Sequence, residues 1–191
     1  MTNIYFVRHA QPLYSHSDTA TRPLTDEGER DCAEVVKVFR DIKLDYAISS
    51  PYVRSYNTIK ATAEEHGLKI YTDERLCERK KGNGSNNMEM FKKRWIDMSY
   101  CEADGECLND LQKRNIDVIN ELLAEHKDEN IILGTHGTAL STILNYYDNS
   151  FGLEGFLRII DFLPYVVRCG FEGNKMIEKE ELLIIEKVYN G

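Results

Sequence analysis

The chain has 191 residues, 42% of them hydrophobic and 29% charged, which suits one soluble globular domain with a core that needs no staples. Its net charge is −8 and its pI about 5.2, which argues against a broad surface for nucleic acid or anionic membrane. An anionic partner would have to meet a local basic pocket. Five cysteines (Cys32, Cys77, Cys101, Cys107 and Cys169) form no CxxC pair. They read as reduced thiols of a cytoplasmic protein, without zinc-type spacing. The N-terminus carries no signal-peptide pattern, and no run approaches the ~18 apolar residues of a membrane span.

In chain order, Ile4–Val7 reads as a buried strand that stops at Arg8-His9. A polar loop runs from Gln11 to Arg22. Pro23-Leu24-Thr25 then leads into a helix capped by Thr25 or Asp26, with Cys32, Val35, Val36 and Phe39 on one face. Tyr46–Ser49 is the next strand. Ser50-Pro51 reads as a cap with proline at the first helical position, and Tyr52, Tyr56, Ile59 and Ala63 form the stripe of a helix closed by Gly67. Leu68–Tyr71 is a third strand. Met88, Phe91, Trp95 and Met98 have helical spacing, fitting a helix packed on the core or a lid. Leu111, Val118, Ile119, Leu122 and Leu123 mark a strong amphipathic helix. Ile131–Leu133 is a buried strand, followed by Gly134-Thr135-His136-Gly137 and a helix to about Tyr147. A short helix over 155–162, a strand over 165–171 and a turn at 172–174 follow. From Lys175 onward the pattern fits strand or helix. Alternating strands and helices predict an α/β fold, a three-layer α/β/α sandwich around a mostly parallel sheet.

Ligands of such sheets sit outside the carboxyl ends of the strands. Arg8-His9, the Ser49–Arg54 segment and Thr135-His136-Gly137 each leave a predicted strand. Parallel neighbours would gather two arginines and two histidines at one rim. Arginine matches phosphate oxygens with a planar fork of donors. Neutral histidine can be a covalent nucleophile, and a helix starting at Gly137 would add amide donors. Phosphoryl transfer also needs an acid for the leaving oxygen.

The order Arg8-His9-Ala10, Ser50-Pro51-Tyr52-Val53-Arg54 with Thr58, Leu76-Cys77-Glu78-Arg79 with Gly82, then Thr135-His136-Gly137 resembles the histidine phosphatase superfamily, which includes the cofactor-dependent phosphoglycerate mutases. The likeness runs from about residue 3 to about residue 145. It implies that His9 becomes phosphohistidine, that Arg8, Arg54 and His136 bind the phosphoryl group, and that Glu78 protonates the leaving group. His136 thus counts with both the catalytic and the phosphate-binding residues. Asp104-Gly105-Glu106-Cys107, with Arg114, is similar to the family's Gly-Glu-Ser segment. Ser15 falls where many members have a phosphate-contacting asparagine. Gln11 and Glu106 are further candidate substrate contacts. Ala10, Gln11-Pro12, Ser15 and Cys107 depart from the commoner family residues.

One domain is expected over 1–191, with 80–107 as a lid or insertion. Most of Lys80-Lys81 and Lys92-Lys93-Arg94 should be solvated, with one or two available to a second anionic group on the substrate. The implied activity is hydrolysis of a phosphorylated small molecule through phosphohistidine, with no metal and no cofactor. A phosphoglycerate-type mutase and a non-catalytic phospho-ligand binding module are the alternatives.

Overall fold

The computed structural model describes residues Met1–Tyr189. Six strands make one sheet: β1 (Thr2–Arg8), β2 (Tyr46–Ser49), β3 (Ile70–Thr72), β4 (Asn130–Thr135), β5 (Phe162–Glu172) and β6 (Lys175–Glu186), in the order β3-β2-β4-β1-β5-β6. The first four are mutually parallel, and β5 and β6 add an antiparallel edge.

The apolar run of β1 is buried on both faces, so it needs a helical layer on each side. Ile4 and Phe6 join a core with Ile116 and Ile119 of α4 (Leu108–Glu125) and Leu140 and Ile143 of α5 (Gly137–Tyr147). Tyr5 and Val7 face Val35 and Phe39 of α1 (Asp26–Phe39) and Ile59 of α2 (Val53–Glu65). The fold is the expected three-layer sandwich. Two further helices, α3 (Met88–Ile96) and α6 (Leu153–Ile159), pack together through Phe91 against Phe156, with ring centroids 5.0 Å apart.

The capping ambiguity before α1 resolves to Thr25, whose hydroxyl accepts the Gly28 N–H at 3.0 Å. Three boundaries differ from expectation. The helix after Ser50-Pro51 begins at Val53, not Pro51, with Tyr52 as its cap. The Ser50 hydroxyl is instead committed to His136, at 2.8 Å from Nε2. Strand β3 is shifted to Ile70–Thr72, because Leu68 turns in against the core under α1 and α2. Helix α6 ends at Ile159, and Phe162 already belongs to β5. The undecided C-terminal segment is β6. Three register irregularities in its pairing with β5 interrupt the alternation that would have marked it as a strand.

Candidate active site

The ends of β1, β2 and β4 lie side by side, and that adjacency builds the site. Arg8 pairs in register with Thr135. The next amide, His9 N–H, donates to the Thr135 carbonyl at 3.2 Å, and Ser50 N–H donates to the Gly134 carbonyl at 3.1 Å. Thus His9 and His136 leave neighbouring strands and meet with ring centroids 5.3 Å apart. Thr58 of α2 ties the loop down, accepting the Ala10 N–H at 3.0 Å.

The His9 ring is oriented by its own backbone. Nδ1 lies 2.8 Å from the Ala10 carbonyl. A carbonyl only accepts, so Nδ1 carries the proton and Nε2 keeps its lone pair. Burial, reinforced by Arg54 and Arg8, holds the His9 imidazole well below its usual pKa. His136 is held down likewise, by burial first and then by Arg54 and His9. Both rings are therefore neutral near pH 7. His136 places Nε2 on Ser50, while its buried Nδ1 has no hydrogen-bond partner.

The arginines are buried at the same rim. Arg8 donates through Nη1 to the Ile159 carbonyl, and its Nε is buried without a partner. Its guanidinium lies flat over Gly137, where a Cβ would come within 3.0 Å of it. Arg54 donates from Nη1 to the Thr19 carbonyl at 2.6 Å and lies 5.0 Å from the centre of the Tyr52 ring. Burial lowers the Arg54 guanidinium to about 10, so it stays charged at neutral pH.

Glu78 reaches the cavity from the segment after a short 3₁₀ turn at Glu74–Leu76. Its carboxylate accepts three amides: Thr138 at 2.9 Å, Ala139 at 3.1 Å and Arg79 at 2.8 Å. Two amides of the first turn of α5, expected to serve a phosphoryl group, are therefore taken by Glu78. An acid at a helix N-terminus is well placed electrostatically.

The segment is pinned from beneath. Arg114 of α4 donates to the carbonyls of Arg75, Cys77 and Glu78. Glu106 holds Arg114 with both oxygens, at 2.6 and 2.9 Å. The Glu106 carboxylate thus binds Arg114 and the Lys80 amide, which corrects its reading as a substrate contact.

Two other candidates are also corrected. Ser15 is exposed and does not line the cavity, where Tyr14 of the same loop does. Gln11 accepts the Thr25 hydroxyl at 3.0 Å and supports the start of α1 instead of lining the cavity. Lys80, Lys81, Lys92 and Lys93 are exposed as expected, and Lys81 among them also lines the cavity. Arg94 is not: it is 3% exposed and paired with Glu102.

Arg8, His9, Arg54, Glu78 and Gly137 face one cavity, with Tyr14, Thr19, Arg22, Arg79, Asn86 and Tyr189 completing much of its lining, whereas His136 is fully buried next to His9 and does not itself line it. The sequence had singled out Arg79 only as the neighbour of Glu78. Arg22, Asn86 and Tyr189 lie in loops whose approach is set by long-range packing, which no local pattern encodes. Cys101, Cys107 and Asp110 group at the start of α4, but none of them lines this cavity. All five cysteines are free. Among the described residues, no helix is long and apolar enough to cross a membrane.

Residues 4–174 match the model of the histidine phosphatase superfamily, branch 1. The probable phosphoglycerate mutase GpmB of Yersinia enterocolitica is 26% identical over 159 residues, covering 76% of this chain and 74% of that protein. Among solved structures, YhfR of Bacillus stearothermophilus superposes with a TM-score of 0.77 at 20% identity, over 93% of this chain and 95% of that one. Phosphoserine phosphatase from Entamoeba histolytica, solved in complex with 3-phosphoglyceric acid, gives 0.78 at 16% identity, over 96% and 98%. A mycobacterial glucosyl-3-phosphoglycerate phosphatase, in complex with inorganic phosphate, gives 0.72 at 16% identity, over 99% and 97%. At these identities the structural likeness concerns the fold.

Proposed function

Since the chain belongs to the histidine phosphatase superfamily, we propose that it is a metal-independent phosphomonoester hydrolase working through a phosphohistidine at His9. One observation carries the reading. The His9 Nδ1 contact with Ala10 leaves an unprotonated Nε2 in a cavity also lined by Arg8 and Arg54. A neutral imidazole beside cations that neutralise phosphoryl oxygens is the requirement for nucleophilic attack on phosphorus.

In the proposed cycle, Arg8 and Arg54 hold the phosphoryl oxygens from the cavity wall, and His136, edge-on to His9, joins them once Nε2 exchanges Ser50 for a phosphoryl oxygen. Nε2 of His9 forms a bond to phosphorus as the bond from phosphorus to the ester oxygen breaks. Glu78, which enters this step protonated, delivers its proton to that oxygen, and the alcohol departs, leaving the carboxylate. Water then attacks phosphohistidine as its proton passes to the Glu78 carboxylate; the bond from His9 Nε2 to phosphorus breaks, phosphate is released, and the imidazole and the protonated Glu78 are restored. The loop that carries Thr19, against Arg54, is exposed, which favours access of this water. The chain is a single domain in which 80–107 is a lid: its α3 lines the space next to Glu78. A phosphorylated small molecule fits such a cavity.

Trapping with a ³²P-labelled ester should yield an acid-labile phosphoenzyme mapping to His9. Hydrolysis should survive EDTA and vanish in His9→Ala. Turnover lost to EDTA but retained by His9→Ala would refute the proposal. The name of the Yersinia relative supports a second reading, a phosphomutase. Interconversion of 2- and 3-phosphoglycerate faster than phosphate release would establish that reading instead. Phosphate binding without turnover would point to a binding module.

A further inference from the structure

Two cysteines outside the catalytic cavity meet at the start of α4. Cys101 and Cys107 are too far apart in the chain for linear zinc-type spacing. The fold closes that gap. The sulfurs of Cys101 and Cys107 and a carboxylate oxygen of Asp110 all lie within 4.8 Å of one another.

The backbone fixes this meeting. The chain reverses between Glu102 and Gly105: the Gly105 amide donates to the Glu102 carbonyl at 2.9 Å, and Asp104 adopts φ 58°. The two arms of the loop are tied by the Asn109 amide, which donates to the Met98 carbonyl at 3.0 Å. Cys107 is the N-cap of α4, and its sulfur accepts the Asp110 amide at 3.4 Å. Cys107 and Asp110 thus hold the two positions whose side chains face each other in a capping box. Cys107 is buried, whereas Cys101 and Asp110 are exposed. The cluster has one side in the protein and one side in solvent.

The chemistry of the three groups selects a ligand. Burial above all, with the Asp110 carboxylate and the Cys101 thiol beside it, pushes the Cys107 thiol up to about 11. It keeps its proton at neutral pH unless a cation takes that proton's place. Calcium and magnesium ions seek oxygen ligands, whereas thiolates select borderline and soft ions. Zinc bonds of about 2.3 Å to sulfur and 2.0–2.2 Å to oxygen set the ligand atoms of a tetrahedral site about 3.5–3.8 Å apart. Atoms already within 4.8 Å reach that spacing through side-chain shifts of about 1 Å. A disulfide would engage the two sulfurs alone and leave the Asp110 carboxylate against them. A divalent cation engages all three groups.

We infer that Cys101, Cys107 and Asp110 form a structural site for one thiophilic divalent cation of the zinc class, with water as fourth ligand on the exposed side. Two sulfur–metal bonds and one oxygen–metal bond form, two S–H bonds break, both protons pass to solvent, and no electron is transferred. None of the three residues lines the catalytic cavity, so the ion stays outside the proposed hydrolysis, and its removal by EDTA leaves that reaction intact. What it holds is the loop from Cys101 to Cys107. That loop carries Glu102, gripped by Arg79 at 3.0 Å and by Arg94 at 2.7 Å, and Glu106, paired with Arg114 at 2.6 Å. An ion joining Cys101 to Cys107 closes the loop at its base and stiffens both braces of the segment that carries Glu78.

The test titrates Co²⁺, whose bonds to thiolate give a charge-transfer absorption, into the reduced, metal-free full chain, and then displaces it with Zn²⁺. In the wild type the band should saturate at one equivalent and disappear as Zn²⁺ is added. Cys101→Ser and Cys107→Ser, the latter keeping a capping hydroxyl, should each weaken binding at least about tenfold, and Asp110→Asn at least about threefold. Free Zn²⁺ at about ten times its Kd should raise the midpoint of thermal unfolding by about 3–6 °C in the wild type and by less than about 1 °C in Cys101→Ser. Absence of a thiolate band in the wild type overturns the inference. So does a band that survives unchanged in Cys101→Ser and Cys107→Ser, because the ion would then sit on other cysteines. Should Cys107→Ser not fold, unchanged affinity in Cys101→Ser, a substitution at an exposed position, overturns it equally. An Asp110→Asn affinity within threefold of wild type rejects the three-ligand site.

Discussion

Replacing Glu78 by glutamine separates the two tasks that the site gives to one side chain. As a general acid, Glu78 should contribute 10²–10⁴-fold, or about 2.7–5.5 kcal/mol of barrier, when the leaving group is an alkoxide that cannot depart unprotonated. A p-nitrophenolate needs little protonation, so its loss should stay under about tenfold. As a cap, the carboxylate accepts the Thr138, Ala139 and Arg79 amides. A glutamine can keep the two bonds to one oxygen, but its NH₂ must then face a backbone N–H. One unsatisfied amide costs about 1–3 kcal/mol, and removing the charge from the α5 N-terminus adds up to about 1 kcal/mol. Single-turnover formation of the phosphoenzyme should therefore fall about 10²-fold or more with glycerol 2-phosphate, and far less with p-nitrophenyl phosphate. Urea unfolding should show the lost stability independently. Equal falls on both esters would show that Glu78 only holds α5 and would remove it from the chemistry.

Three further outcomes follow from the same geometry. His9 and His136 are both depressed below the usual 6.5, so below that pH the unfolded chain takes up protons that the native chain does not. Stability should be full above about pH 6.5 and fall on acidification with a slope approaching about 1.4 kcal/mol per pH unit for each ring. Denaturation at pH 7.5, 6.5 and 5.5 reads this, His9→Asn should halve the slope, and a flat profile contradicts it. Gly137→Ala would bring a methyl within 3.0 Å of the Arg8 guanidinium; phosphate affinity should drop at least tenfold (about 1.4 kcal/mol), and unchanged affinity by calorimetry would show that Arg8 yields freely. Arg114→Met would release three carbonyls and leave Glu106 unpaired, costing about 3 kcal/mol of stability and lowering kcat for alkyl esters, whereas full kcat in a destabilised variant would show that Glu78 needs no such support.

The sequence disclosed the site where chemistry and strand ends coincide. Arg8, His9, Arg54 and His136 each follow an apolar run whose burial is unambiguous, so parallel pairing alone brings them together. It misled where a short polar side chain had two possible uses. Ser50 reads as a helix cap and serves His136. Glu106 reads as a ligand contact and serves Arg114. Gln11 serves Thr25. Arg94, inside a run of three cations, reads as solvated, yet it is buried because Glu102 lies eight positions away on a loop that folds back over it. That return depends on Gly82, at φ +64, where a Cβ would strike the Ala103 carbonyl at 2.5 Å. Local pattern specifies the elements, but the partner of each polar atom depends on contacts between distant segments.

The same distinction explains how a chain of net charge −8 can receive an anion. Its acids are not merely more numerous than its bases. Many are placed on the outer surface, and Glu78 faces the cavity with its oxygens on backbone amides, while Glu102 and Glu106 brace the cationic cavity from behind through paired arginines. Glu102 links Arg79 to Arg94, and Glu106 links Arg114 to the strand of chain that carries Glu78. Each carboxylate lowers the cost of burying its arginine partners. Arg8 and Arg54 are different: their hydrogen bonds go to carbonyls, which orient a guanidinium without cancelling its charge. A buried cation whose own hydrogen bonds go to neutral dipoles, with Glu78 near it but not bonded to it, gains most from an incoming dianion. The pairing pattern thus separates arginines that brace the site from those without a bonded carboxylate, which on the proposed reading meet phosphate, a distinction that overall composition cannot reveal.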